Sequence, residues 1–217
     1  MSTLLKIEQC GPSSVSDLVR IHEAAFHDRA MTALGTETVR RYYASMFSGE
    51  YEVTALTAVL SGEVVGFCIG GHLANHIQRF LQHNFLFLAG RFLRHPLLAF
   101  HGLVRDRVML GIQLLLSSVR TSPRPPEQTS RSARVFNVRA IAVHPDHHRQ
   151  GVGRELLSAT EVHAAQRKFT EMRLAVNLEN KGAVQFYENL GWERLPGLRE
   201  SETVMRKQIH TPGPGRR

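Results

Sequence analysis

The sequence predicts an α/β fold in which a mixed central sheet is flanked by helices, with a helical insertion between the third and fourth strands. Three observations carry this expectation. Runs rich in β-formers alternate with amphipathic helical runs along most of the 217 residues. A β run ending at Val143 turns through Gly151 and Gly153 into a helix. Residues 73–132 then break the alternation with a basic, phenylalanine-rich helical pattern.

Taken in order, residues 3–10 read as a first strand, closed by the turn Gly11-Pro12. Ser13 to Ser16 offer N-caps for a helix running to His27, with Leu18, Ile21, Ala25 and Phe26 on its apolar face. A second helix is expected from Thr36, read as its N-cap, to Ser48, burying Val39, Tyr43 and Met46. Tyr51–Leu60 and Glu63–His72 flank Ser61-Gly62 and read as a hairpin. In the insertion, Leu81, Phe85, Leu88 and Phe92 recur at helical spacing, as do Val104, Val108, Ile112, Leu115 and Val119. Arginines interrupt both stretches, so neither is read as a membrane span. Thr121–Ser132 reads as a loop. Beyond it the pattern predicts a strand at 133–143, a helix at 150–168, a strand at 170–178, a helix at 180–190, and strands near Trp192 and at 203–209.

Hydrophobic residues at 42% and charged residues at 21% place the chain with globular proteins and exclude disordered or collagen-like classes. Its two cysteines, Cys10 and Cys68, lack ligand spacing, which argues against a disulfide framework or structural zinc and fits a reducing compartment. MSTLLKIEQCG has no basic stretch followed by an apolar core, so no secretory signal is read there. The expected location is cytoplasmic, with peripheral membrane association as a second reading.

The stretch VRAIAVHPDHHRQGVGRELL, residues 138–157, carries the chemistry. Free N–H groups in the first turn of a helix bind phosphate oxygens, and bare backbone at Gly151 and Gly153 lets a diphosphate approach. No Lys-Ser/Thr follows the glycines as in a P-loop, and no third glycine stands at dinucleotide-fold spacing. HRQGVG (148–153) resembles the R/QxxGxG/A motif of the GNAT N-acetyltransferase superfamily, with His148 where Arg or Gln is usual. NLENKGAVQFYENLGW (177–192) resembles the second half of that family's signature.

The resemblance implies a GNAT-type sheet and acetyl-CoA, or another acyl-CoA, as cosubstrate without metal. It places His148, Arg149, Gln150, Gly151, Val152, Gly153 and Arg154 on the diphosphate. Backbone groups of Ile141, Ala142 and Val143 then hold the pantetheine arm and thioester, and Asn180 and Ala183 contact the cofactor. Tyr187 becomes the acid that protonates the leaving thiolate. Phe186 and Trp192 are read as core aromatics. Residues 133–143 contain no Asp or Glu, so no general base is assigned. His144, Asp146, His147 and His148 are read as loop residues rather than metal ligands.

The expected organisation is an acyltransferase domain at 1–72 and 133–210, a basic helical insertion at 73–132 and a disordered tail at 211–217. The net charge of +8 is concentrated: from Leu73 to Arg134 there are nine arginines, no lysine and two acids, a local excess of +7. That segment is read as a solvated subdomain, as an acceptor-selecting lid, or as a surface for anionic membrane or an acidic acceptor. The expected function is N-acetyl transfer to a primary amine of unassigned identity, the alternative being a non-catalytic acyl-CoA sensor. The charge lacks a nucleic-acid reader motif, so no nucleic acid is expected.

Overall fold

A computed structural model describes residues 4–27, 30–94, 134–196 and 201–209. In chain order they form strand β1 (Lys6–Gln9), helices α1 (Val15–Ala25), α2 (Ala30–Ala33) and α3 (Thr36–Met46), strands β2 (Glu52–Leu60) and β3 (Glu63–His72), and helices α4 (His76–His83) and α5 (Phe85–Arg94). Strand β4 (Val135–Val143), helix α6 (Val152–Gln166), strand β5 (Glu171–Asn177), helix α7 (Lys181–Asn189) and strands β6 (Glu193–Pro196) and β7 (Glu202–Gln208) follow. The predicted helix at 104–119 and the loop at 121–132 lie outside the described residues. Clustering divides the chain into two compact units, drawn from Met1–Cys10, Glu52–His72 and Thr129–Arg217, and from Gly11–Tyr51 and Leu73–Gln128.

The first unit is a seven-stranded mixed sheet in the order β1-β2-β3-β4-β5-β7-β6. Ser61 and Gly62 both take positive φ, 54° and 86°, the paired left-handed geometry that closes a two-residue hairpin between β2 and β3. The β-rich runs bury Leu56, Ala58, Cys68, Phe136, Met172 and Met205 in one core. Helix α6 covers that core with Val152, Leu156, Leu157, Thr160 and Ala164, an apolar stripe at helical spacing. Each fully buried side chain such as Leu156 contributes about 1.5–3 kcal/mol of transfer free energy.

One irregularity shapes the middle of the sheet. Ile69 pairs with Ala140 but Gly70 pairs with Val138, so Arg139 is an extra residue on β4, a β-bulge. A Cβ on Gly70 would stand 2.6 Å from both the Asn137 oxygen and Phe136 Cε1, so only glycine fits opposite the bulge. The parallel pairing of β4 with β5 covers only Val135↔Glu171, Phe136↔Met172 and Asn137↔Arg173, stopping where the bulge begins.

Among the described residues the second unit is helical. Val15, Leu18, Val19 and Ile21 of α1 are buried, as are Val39, Tyr42, Tyr43 and Met46 of α3. Two capping expectations are corrected. Ser14 is the N-cap of α1 but makes no side-chain capping bond. The N-cap of α3 is Gly35 at φ 89°, not Thr36, which is the first helical residue. Arg91 explains this: its Nε donates to the Leu34 oxygen at 2.6 Å, and its guanidinium fills the space where a Cβ on Gly35 would stand. The expected single helix through Leu81 and Phe92 is divided at Asn84, whose Nδ2 donates back to the Phe80 oxygen at 3.0 Å. Ser45 gives its one proton to the Tyr42 oxygen, so the His76 Nε2–H donates to Ser45 Oγ at 2.9 Å and ties α4 to α3.

His22 lies between α1 and α3 with Nδ1 2.7 Å from the Tyr43 hydroxyl and a buried Nε2 that has no partner among the described residues. A second ring proton would place a charge there without an acceptor, and burial lowers the His22 pKa to about 4. The unfolded chain binds this proton near pH 6.5 and the folded chain does not, so stability is full above 6.5 and is lost as pH falls through 4. Thermal melts between pH 7 and 4 should show the helical unit losing at most about 3 kcal/mol through this residue. A His22→Leu variant should show a smaller pH dependence over the same window, whatever its absolute stability.

Candidate functional site

The site begins at the free edge of β4. His144 N–H donates to the Val65 oxygen at 2.8 Å, so alternation also turns the backbone polar groups of Ala142 toward β3. Consistent with this, the Ala142 oxygen lies 2.9 Å from the Cβ position of Gly66. Ile141 and Val143 therefore aim their N–H and C=O groups at the opposite edge, along which no β5 residue is paired. Of the three strand residues expected to offer backbone contacts, Ile141 and Val143 face that edge, and Ala142 does not.

The chain leaves β4 through a short 3-10 turn, Pro145–His147. His148 Nε2 donates to the Val143 oxygen at 2.9 Å, which commits that ring to the end of the strand. The Gln150 amide donates to the Asp146 oxygen at 3.1 Å and also meets His147 Nδ1 at 3.4 Å, stiffening the loop. Among the described residues no group of three or more His, Cys, Asp or Glu is placed to hold a metal.

Gly151 caps α6 in the left-handed region at φ 82°, which favours glycine, and no side chain caps the helix. The Arg154 and Glu155 N–H groups both bond to the Gly151 oxygen, leaving those of Val152 and Gly153 without an intrahelical acceptor. A Cβ on Gly151 would meet nothing within 4 Å, and one on Gly153 would first meet Phe186 Cζ at 3.4 Å. The space above the turn is thus open to a ligand, and packing alone does not demand glycine at 153. Exposed Arg149 and Arg154 flank these N–H groups, and neither forms an ion pair among the described residues. Helix dipole and free N–H groups make this turn a candidate anion site, with the exposed Arg149 and Arg154 adjacent to it in sequence.

Asn180 is the N-cap of α7, its Oδ1 accepting the Ala183 N–H at 3.1 Å. The two residues expected to meet a cofactor are therefore bonded to each other, and the Nδ2 of Asn180 remains to face outward. One turn further, Tyr187 is 7% exposed within the core cluster, its ring against Phe186 and Trp192 at 5.3 and 5.8 Å between centroids. Trp192 is buried, as a core aromatic should be, whereas Phe186 is half-buried beside Gly153. No hydrogen bond to the Tyr187 hydroxyl forms among the described residues, although a buried phenol usually finds a partner. Burial, with a smaller contribution from Cys68, pushes its pKa well above the ordinary value near 10.

Thr160 and the bulge were not singled out in the sequence, and Cys68 was read there only as lacking ligand spacing. Burial raises the Cys68 thiol to about 12, only partly offset by a hydrogen bond with Thr160. The Gly70-Gly71 pair inside a strand was the signal that could have revealed the bulge.

With the glycine turn and the divided strands in view, comparison with known proteins is decisive. Residues 16–192 match the model of the Acetyltransferase (GNAT) family. The chain belongs to the GNAT acetyltransferase family. GNAT structures share its fold: the ribosomal-protein-S18-alanine N-acetyltransferase of Escherichia coli has a TM-score of 0.57 and 17% identity, covering 97% of each chain. The PaiA N-acetyltransferase of Thermoplasma acidophilum, solved in complex with coenzyme A, has a TM-score of 0.56 and 12% identity, covering 94% of this chain and 99% of the other. A mycothiol acetyltransferase of Kocuria rhizophila is 40% identical over 57 residues, which are 26% of this GNAT chain and 19% of that protein's length.

The cap bond separates a structural role for Asn180 from a binding role. Asn180→Ala should lower stability by about 1 kcal/mol in urea unfolding, whereas Asn180→Asp, which keeps the capping oxygen, should unfold like the parent. If Asn180→Asp nevertheless weakens coenzyme A binding, the amide nitrogen is what the ligand reads.

Proposed function

We propose that the chain is an acyl-CoA-dependent N-acyltransferase that moves acetyl from acetyl-CoA to a primary amine by direct attack. Family membership supports the acetyltransferase assignment. The observation that carries the finer reading is the unpaired edge of Ile141 and Val143 running into an uncapped helix N-terminus. Such an edge suits an amide-bearing arm joined to a diphosphate.

The residues fit that group. Val152 and Gly153 N–H groups, with Arg149 and Arg154, would hold diphosphate oxygens, and the side chains of His148 and Gln150 brace the loop that presents them. Ile141 and Val143 would pair with the arm as a missing strand does, fixing the reactive end along β4. When bound, the thioester supplies a carbonyl already activated toward an amine. Asn180 shapes the opposite wall through its bond to Ala183.

Tyr187 holds its proton throughout the physiological range because burial disfavours the phenolate. Its unpaired hydroxyl is a donor for the sulfur as negative charge develops there. A thiol titrates near 8.5 and a phenol near 10, so the hydroxyl stabilises the leaving group chiefly by hydrogen bonding. The amine, with a pKa of about 10.4, must lose a proton before attack. Strand β4 carries no carboxylate to take it, and the base is not assigned.

That missing carboxylate is what favours the second reading, a sensor that binds acyl-CoA without turnover. Free-thiol release from acetyl-CoA with an amine panel separates the two. The enzyme reading expects activity that rises with pH as the amine deprotonates, with no limb from Tyr187 below pH 10. Tyr187→Phe should lower kcat by at least about tenfold while calorimetric binding of coenzyme A stays within about twofold. Full turnover by this variant would remove Tyr187 from the chemistry, and absence of coenzyme A binding by the parent would sink the whole proposal.

A further inference from the structure

We propose that the exposed face of α5 is a docking surface for an anionic lipid bilayer. Of seven large hydrophobic residues standing exposed among the described ones, four fall between Ile77 and Leu93. Leu86 is 84% exposed, Leu93 83%, Phe85 55% and Ile77 41%. At about 100° per residue, Phe85, Ala89, Leu93 and Leu86 share one arc of α5. A merely solvated helix would place polar residues on that arc, and here it is wholly apolar.

The opposite side of the hairpin is already used. Arg91 donates to Leu34 O, Arg79 pairs with Glu50, and Arg41, itself bonded to Glu37, lies 4.1 Å over the Phe87 ring. These contacts fix α5 against α3 and leave the Phe85–Leu93 arc outward. Exposed Arg94 ends the helix, about 80° round from Leu86, and forms no ion pair among the described residues.

Charge selects the occupant. Residues 73–105 contain four arginines and no Asp or Glu. A second copy docked through the same patch would set like charges face to face, since a two-fold interface uses one surface twice. A bilayer with anionic headgroups offers apolar depth for leucine and phenylalanine and phosphate oxygens for arginine in one place. No helix among the described residues is long and apolar enough to cross a membrane, so the contact is interfacial.

The test uses the full chain and sedimentation with phosphatidylcholine vesicles, with and without phosphatidylglycerol. The parent should bind only the anionic vesicles, and less strongly as salt is raised. A Leu86→Glu/Leu93→Glu double variant should bind at least about tenfold more weakly while melting temperature and coenzyme A binding are unchanged. Both side chains are exposed, so folding is not at issue. Failure of the parent to bind, equal binding by the variant, or a parent dimer that this variant dissolves in light scattering would each overturn the proposal.

Discussion

The fold turns on one strand that keeps one neighbour and loses the other. Strand β4 stays paired with β3 along most of its length but with β5 for only three residues, and the extra residue at Arg139 marks the change. Gly70 makes this possible, because the bulging strand approaches it more closely than any Cβ would allow. The result is an interior sheet edge along which no β5 residue pairs with Ile141 or Val143, the Val143 oxygen being taken by His148. Amides of this kind are costly when dry, so the edge must stay hydrated or pair with a ligand strand. Everything placed around it, from the His148 brace to the α6 terminus, extends that line of donors.

Much of this was legible in the residues. The hairpin at Ser61-Gly62, the strand ending at Val143 and the helix after Gly153 all follow from local chemistry that tertiary packing does not override. The failures are equally local in origin. Thr36 looked like a cap because the sequence cannot show that Arg91 sits over Gly35 and claims Leu34. Continuous helix through residue 84 looked secure because spacing ignores an Asn side chain that returns to its own backbone. The direction of each amide on β4 was hidden, since alternation has a phase only once the β3 partner is known.

The candidate site was partly legible in the same sense. Glycines at 151 and 153 declared a close approach, and the structure separates them: Gly151 has a left-handed backbone under open space, whereas a Cβ at Gly153 would only touch Phe186. Tyr187 was separated from Phe186 and Trp192 by resemblance, and what distinguishes it physically is a mostly buried ring whose hydroxyl has no hydrogen-bond partner among the described residues. Asn180 shows the reverse. Its position in the motif suggested a ligand contact, and its first bond is to the helix it begins.

Cys68 brings one last consequence. In the proposed reaction a thioester would be presented near the protein's own sulfur, and an accessible thiolate there would attack its carbonyl, take the acyl group and expel the coenzyme A thiolate. Buried and titrating only near 12, Cys68 stays in its unreactive form at every pH the protein meets. The core around Tyr187 therefore holds a polarizable, compact side chain that offers no nucleophile to solvent.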